Sequence, residues 1–301
     1  EHSSAGASYT TLGMTRPTAA TEADIETHTL DAHATARWDV GAPRYFALLA
    51  GAEYQHMTGD VAIGGIDRQD ITDNMASAAV GPQFLLVRPG GNAFHAYVLA
   101  RGYAGSGDTE TELPSAADGT RRVLDTSRDH LGGGVEGGLA ARVGGFVAEV
   151  AARYAVVDTE EHAAFSSARD SEVTDSRATY LDVSAYVGAR LMDGRLVPII
   201  GGEVRRETQH ADVNGADASY TNARLDAGAR LNVGDFSGTL LVGYDATTGG
   251  LRIYDAVDIA DAVRLYASTN VQLGDRQDSV RRPVDIAHDT PPVDFGAELQ
   301  F

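Results

Sequence analysis

The chain has 301 residues, no cysteine and a formal net charge of -19, with 43 acidic residues against 24 basic ones, every one an arginine. Without cysteine there is no disulfide framework, thiolate metal site or thiol nucleophile, and so acidic a chain has no basic stripe for a phosphate backbone, which sets nucleic acid aside. No run of ~18 apolar residues is present, which excludes a transmembrane helix but not a membrane-crossing strand of ~9–11 alternating residues.

No secretion signal opens the chain at Glu1, so an exported protein is expected here in its mature form. A first strand is expected around Ala7 to Arg16. The second presents Leu30, Ala32, Ala34, Ala36 and Trp38 on one face and Asp31, His33, Thr35, Arg37 and Asp39 on the other. The third alternates Phe46, Leu48, Ala50, Ala52 and Tyr54 with Ala47, Leu49, Gly51, Glu53 and Gln55. Equivalent apolar rows start at Phe94, Leu131, Phe146, Leu181, Leu225 and Phe236, and such a period of two is the mark of a strand with one oily face.

Short turn signals stand at Gly41-Ala42-Pro43, Pro89-Gly90-Gly91, Gly144-Gly145, Asp193-Gly194 and Gly234-Asp235. Each is flanked by alternating runs and predicts a hairpin. Between them lie polar stretches at 17–24, 58–72, 105–127, 158–176 and 208–218, expected to be long loops. Trp38, Phe46, Phe84, Phe94, Phe146 and Phe236 adjoin the short turns, while Tyr54, Tyr154 and Tyr244 stand on the same rows about eight residues away, as two interfacial girdles would. Beyond Tyr244, Val263, Leu265, Ala267, Val271 and Leu273 alternate with polar residues, and 251–259 is a weaker strand. Counting both gives fourteen strands; one long loop in their place gives twelve. No composition break divides 1–301, so a single domain is expected.

The last stretch, Pro291 to Phe301, alternates Val293, Phe295, Ala297, Leu299 and Phe301 with Asp294, Gly296, Glu298 and Gln300. That strand ending on an aromatic, the alternation of short turns with long loops, and the two girdles resemble the bacterial outer-membrane β-barrel class as a whole. The resemblance implies a closed antiparallel up-and-down transmembrane barrel in a Gram-negative outer membrane, short turns and both termini in the periplasm and acidic loops outside. It also implies the lipid bilayer and lipopolysaccharide as surroundings, and the barrel assembly machinery as the reader of Val293, Phe295, Leu299 and Phe301.

Two-residue turns set opposite charges face to face on the inner wall: Glu136 with Arg153, Asp182 with Arg205, and Arg224 with Asp245. Asp31, His33, Arg37, Glu53, Arg101, Glu203, Arg230 and Arg264 face the same way. Such charges cost little in a water-filled lumen and must be paired in a dry one. Inward glycines such as Gly132, Gly134, Gly138, Gly188, Gly228 and Gly243 favour open space. The loop carboxylates, among them Asp60, Asp70, Asp108, Glu110, Asp158 and Glu160, lack the spacing of a calcium loop and are expected to form a solvated acidic rim.

Asp31 and His33 share the inward face, which suggests a lumen hydrogen bond. His95, His130 and Ser184 do not assemble with them into a triad, so neither an enzyme, a metal nor a cofactor is expected. The leading expectation is passive diffusion of small hydrophilic solutes or ions; the alternative is a structural or interaction barrel with a narrow or plugged lumen. Homo-oligomer formation or a surface partner is left open.

Overall fold

The computed structural model describes residues 2–17, 22–40, 45–63, 66–88, 92–113, 122–165, 171–211, 216–246, 250–259, 262–272 and 290–300. It is all-β and antiparallel. The first seven strands are β1 (His2–Pro17), β2 (Glu22–Val40), β3 (Phe46–Ile63), β4 (Ile66–Arg88), β5 (Asn92–Leu113), β6 (Arg122–Val143) and β7 (Phe146–Phe165). The rest are β8 (Ser171–Ala189), β9 (Leu196–Ala211), β10 (Ala216–Val233), β11 (Phe236–Asp245), β12 (Gly250–Ile259), β13 (Val263–Gln272) and β14 (Thr290–Gln300). From β2 to β13 each strand pairs with its chain neighbours in up-and-down order. β1 pairs with β2 and, from Ser4↔Gln300 to Gly13↔Thr290, with β14, which also pairs with β13. The side chains of β1 and β14, and Phe301, lie outside the described residues, as do the turns 41–44 and 89–91.

Exposure is inverted relative to a soluble sandwich. On β6, Leu131, Val135, Leu139 and Val143 are 53% to 70% exposed, whereas Asp226, Ser237 and Asp258 are 5% to 7% exposed. A wall oily outside and charged within is stable only where lipid covers the oily side. Near the short turns the Phe46 and Phe84 rings meet at a tilt with centroids 5.3 Å apart, and Phe84 and Phe94 likewise at 6.3 Å, forming part of one girdle. Tyr54, Tyr154 and Tyr244 stand exposed at the other.

Within the band between the girdles, Asp255 breaks the pattern. It pairs across the ladder with Leu240 and Ala267, on the face that also carries Ile253 and Val257. No hydrogen bond or ion pair holds it among the described residues. A carboxylate on the lipid face opposes insertion, though less than the ~2–4 kcal/mol measured for a cation at the midplane. Asp255→Leu is therefore expected to raise stability in lipid vesicles, read as a higher urea midpoint; a lower midpoint would show that a partner, not lipid, covers this spot.

Two short turns follow the expectation. Val143↔Phe146 and Val233↔Phe236 close the ladders around Gly144 (φ 56) and Gly234 (φ 59), both in the left-handed region where glycine carries no Cβ penalty. The third departs from it: Leu191↔Leu196 is the last pair, and Met192 (φ 52) and Asp193 (φ 59) are both left-handed in a 3-10 turn. Asp193-Gly194 is thus no two-residue hairpin turn; the ladder stops one pair earlier. The facing above it is unchanged, with Asp182 opposite Arg205.

The expected long loops are mostly strand. β4 and β5 stay paired to Arg68↔Glu112, and β6 and β7 to Leu124↔Phe165. Above the lipid band a strand no longer needs an oily face, so its hydrophobic alternation fades while its hydrogen bonds continue. The acidic rim is consequently ordered into rows. Asp60, Asp70, Glu110 and Asp125 stand directly opposite one another on consecutive strands β3 to β6, a like-charge ladder that disfavours pairing at this level. Asp118 and Asp170, two further carboxylates of the expected acidic rim, lie outside the described residues.

Candidate functional site

The inner wall is organised by arginines and carboxylates, several of which reach more than one partner. Arg101 on β5 donates to Glu53 on β3 (2.9 Å), Ser77 on β4 (2.8 Å) and Glu136 on β6 (3.1 Å). Asp182 on β8 accepts from Arg153 on β7 and Arg205 on β9, both at 2.8 Å. Arg224 on β10 donates to Glu203 on β9 (2.8 Å) and to Asp226 (2.9 Å), which also accepts from the Tyr186 hydroxyl (2.8 Å). Asp258 on β12 accepts from Arg264 (2.6 Å), Arg230 (3.1 Å) and Ser237 (2.9 Å). A guanidinium, with five donors in a planar fork, suits such bridging where an ammonium would not.

The register places all three expected pairs opposite one another, Glu136↔Arg153, Asp182↔Arg205 and Arg224↔Asp245. Only Asp182–Arg205 becomes the contact expected. Glu136 binds Arg101 and the Tyr97 hydroxyl instead of Arg153, which turns to Asp182. Arg224 bonds Glu203 and Asp226, and Asp245 accepts from Asn222 at 2.8 Å. The correction has a steric origin: an arginine side chain is long enough to pass its direct neighbour for a diagonal one, and it goes where several oxygens converge. Arg37 pairs with Asp39 on its own strand at 2.8 Å. Asp31 and His33 share the inward face of β2, opposite Gln55 and Glu53 of β3.

Tyr97, Tyr186, Asp226, Asp258, Ser77 and Ser237 belong to this network and were not singled out by sequence. Their inward parity was readable, and Asp226 lies two residues from Arg224 on the same face. Gln83 and His95 also meet across the wall at 2.5 Å.

Three cavities with charged side chains in their linings follow one another along the interior. The one nearest the long hairpins, about 570 Å³, is lined by Asp73, Arg128, His130, Glu161, Arg177 and His210 among others. It shares Gln55, Met75, Val157 and Tyr180 with a middle cavity of about 440 Å³, where Asp31 and Glu53 from one side meet Arg153, Asp182 and Arg205 from the other. A third, of about 510 Å³, lies at the short-turn end, with His95, Arg142, Glu149, Tyr186, Arg190 and Arg230. Between the middle and lower cavities, by strand position, lie Tyr97, Arg101 and Glu136 on one arc and Glu203, Arg224 and Asp226 on another. In the upper cavity His130 Nδ1 contacts the Thr159 hydroxyl at 2.8 Å and Nε2 lies 3.3 Å from Asp73. No group of metal-ligating side chains that could hold an ion is found among the described residues.

No protein-family model and no curated protein matches the sequence. Solved structures do. The β domain of the Bordetella autotransporter Brka is 15% identical, with all of both chains covered and a TM-score of 0.55. A Pseudomonas aeruginosa FadL homologue is 10% identical over 100% of this chain and 90% of that one, with a TM-score of 0.61. The Ralstonia pickettii toluene transporter TbuX is 13% identical over 99% and 88%, with a TM-score of 0.58. At these identities the likeness is one of fold. Joined to the lipid-facing outer wall and the charged interior, it makes this chain an outer-membrane β-barrel, crossing the membrane many times by strands.

Proposed function

We propose that the chain is a closed, fourteen-stranded channel that passes small hydrophilic solutes or ions through a charged, water-filled lumen, and that it performs no covalent chemistry. The observation that carries this reading is the series of cavities along the interior, each with several charged side chains in its lining that water or a permeating solute can meet. Closure is supported by the β1–β14 ladder, and fourteen strands rather than twelve by the ladders that β12 and β13 make with each other and with β11 and β14. The toluene transporter and the FadL homologue share the fold, but a hydrocarbon would gain nothing from walls of guanidinium and carboxylate. His130 and Thr159 are read as a wall contact, and the bilayer, lipopolysaccharide and the assembly machinery as the partners.

The second reading, a structural or interaction barrel, is favoured by the bridged layer of Tyr97, Arg101, Glu136, Arg224 and Asp226 between two cavities. Planar-bilayer recording separates them. Steady single-channel openings are expected from the folded protein, and Tyr97→Ala with Tyr186→Ala should raise the conductance by removing two rings from that layer. Silence from wild type and from the double variant, in samples whose folding is verified, would leave the interaction barrel as the function.

A further inference from the structure

The inward arginines are not treated alike. Arg37, Arg101, Arg153, Arg205, Arg224, Arg230 and Arg264 each have a carboxylate oxygen at 2.6 to 3.1 Å. Arg142 on β6 and Arg190, just after β8, have no ion pair among the described residues, in a chain with 43 acids for 24 arginines. Both line the short-turn cavity of about 510 Å³. That cavity's one carboxylate, Glu149 on β7, is also without a hydrogen bond or ion pair among the described residues. Glu149 faces Ala140 and Tyr186, and Val147 faces Arg142 and Gly188, so the three charges surround one stretch of wall.

The surroundings hold this arrangement in place. The Arg190 guanidinium lies against Gly194, where any Cβ would collide with it and where φ is 86. The Asn232 amide donates to the Gly194 carbonyl at 2.7 Å, and Asn92 Oδ1 accepts from the Gly144 N–H at 2.9 Å, tying down both turns below the cavity. His95 and Tyr186 add polar atoms on the wall. Two cations and one anion, left uncompensated in a cavity large enough for a small metabolite, present a charge pattern whose complement is two anions and one cation.

We propose that this cavity is a binding site for small amino dicarboxylates, the two acid groups held by Arg142 and Arg190 and the ammonium by Glu149. Guanidiniums recognise carboxylates in paired, charge-assisted hydrogen bonds. The carboxylate of Glu149 selects against ligands that lack a donor. The site deepens the channel reading in that it needs a wet lumen, but equilibrium binding does not need conduction.

The test is calorimetric titration of the folded protein in detergent micelles at low salt, with aspartate, succinate and ethylamine as probes. Aspartate is expected to bind, succinate more weakly and ethylamine not at all. Arg142→Gln and Arg190→Gln should each weaken aspartate by about tenfold, with Arg142→Lys intermediate. Glu149→Gln should reverse the order, tightening succinate and weakening aspartate. Folding of every variant is checked by heat-modifiable gel mobility, and Arg142→Lys serves where a glutamine variant does not fold. Absence of aspartate binding to wild type, or equal binding by wild type and the Arg142→Gln/Arg190→Gln double variant, would overturn the proposal. Aspartate binding by a protein silent in bilayers would keep the site and remove the channel; openings without aspartate binding would do the reverse.

Discussion

Replacing Arg224 by methionine is expected to lower the unfolding free energy by about 3–5 kcal/mol, the cost of stripping a partner from a buried charge. The Asp226 side chain is only 5% exposed and that of Arg224 18%. Arg224 alone joins Asp226 to Glu203 on the neighbouring strand. Without it the Tyr186 hydroxyl still donates to Asp226, but one neutral donor does not offset a buried carboxylate beside a second one. The double variant Arg224→Met/Asp226→Leu removes the charge as well as its partner and should recover most of the loss. Urea titration in lipid vesicles reads both. If the single variant loses less than about 1 kcal/mol, water already solvates this layer and the lumen is wider there than the hydrogen bonds suggest.

Gly228→Val is expected to be at least as damaging, for a steric reason. Gly228 on β10 faces Leu241 on β11, and a Cβ there would run into the Leu240 carbonyl and the Leu241 Cα. Backbone cannot yield as a flexible side-chain end can, so valine must part the β10–β11 ladder, which overpacking figures of ~1–3 kcal/mol understate. Gly238→Val is the internal control, because nothing lies within 4 Å of a Cβ at Gly238 on the outer side of the same hairpin. A β-branched residue at this lipid-facing position should be neutral or stabilising. The two variants are expected to differ in folding yield as well as in urea midpoint; equal behaviour would show that the strands separate here at little cost.

How legible the molecule was depends on which force sets each feature. Within the lipid band, lipid on one side of the wall and a polar interior on the other impose a period of two, and Leu131 to Val143 or Phe146 to Tyr154 could be assigned to faces directly. A tight turn then carries that assignment across the hairpin, which is why Glu136 and Arg153 were placed opposite each other correctly. Register, however, positions Cα atoms and not the ends of long side chains. Arg101 reaches strands on both sides because oxygens of Glu53, Ser77 and Glu136 converge there, and no local pattern announces that convergence. Above the bilayer the facing constraint is lost, so Asp108 to Glu112 looked like a loop although it pairs as strand. Asp255 escaped notice because it interrupts the alternation of the weakest apolar strand, β12.

The arginine bridges also bear on how this wall would yield to force. Glu53, Arg101 and Glu136 tie β3 to β6; Arg153, Asp182 and Arg205 tie β7 to β9; Arg230, Asp258 and Arg264 tie β10 to β13. Arg101–Glu53 reaches over β4 and Arg230–Asp258 over β11, while Asp182 is held from both neighbouring strands, so removing one strand breaks bonds beyond its own hydrogen-bonded ladder. A chain pulled from one end would therefore surrender in groups of neighbouring strands rather than hairpin by hairpin, and because Tyr186 and Glu203 bond Asp226 and Arg224, no group ends cleanly at β9.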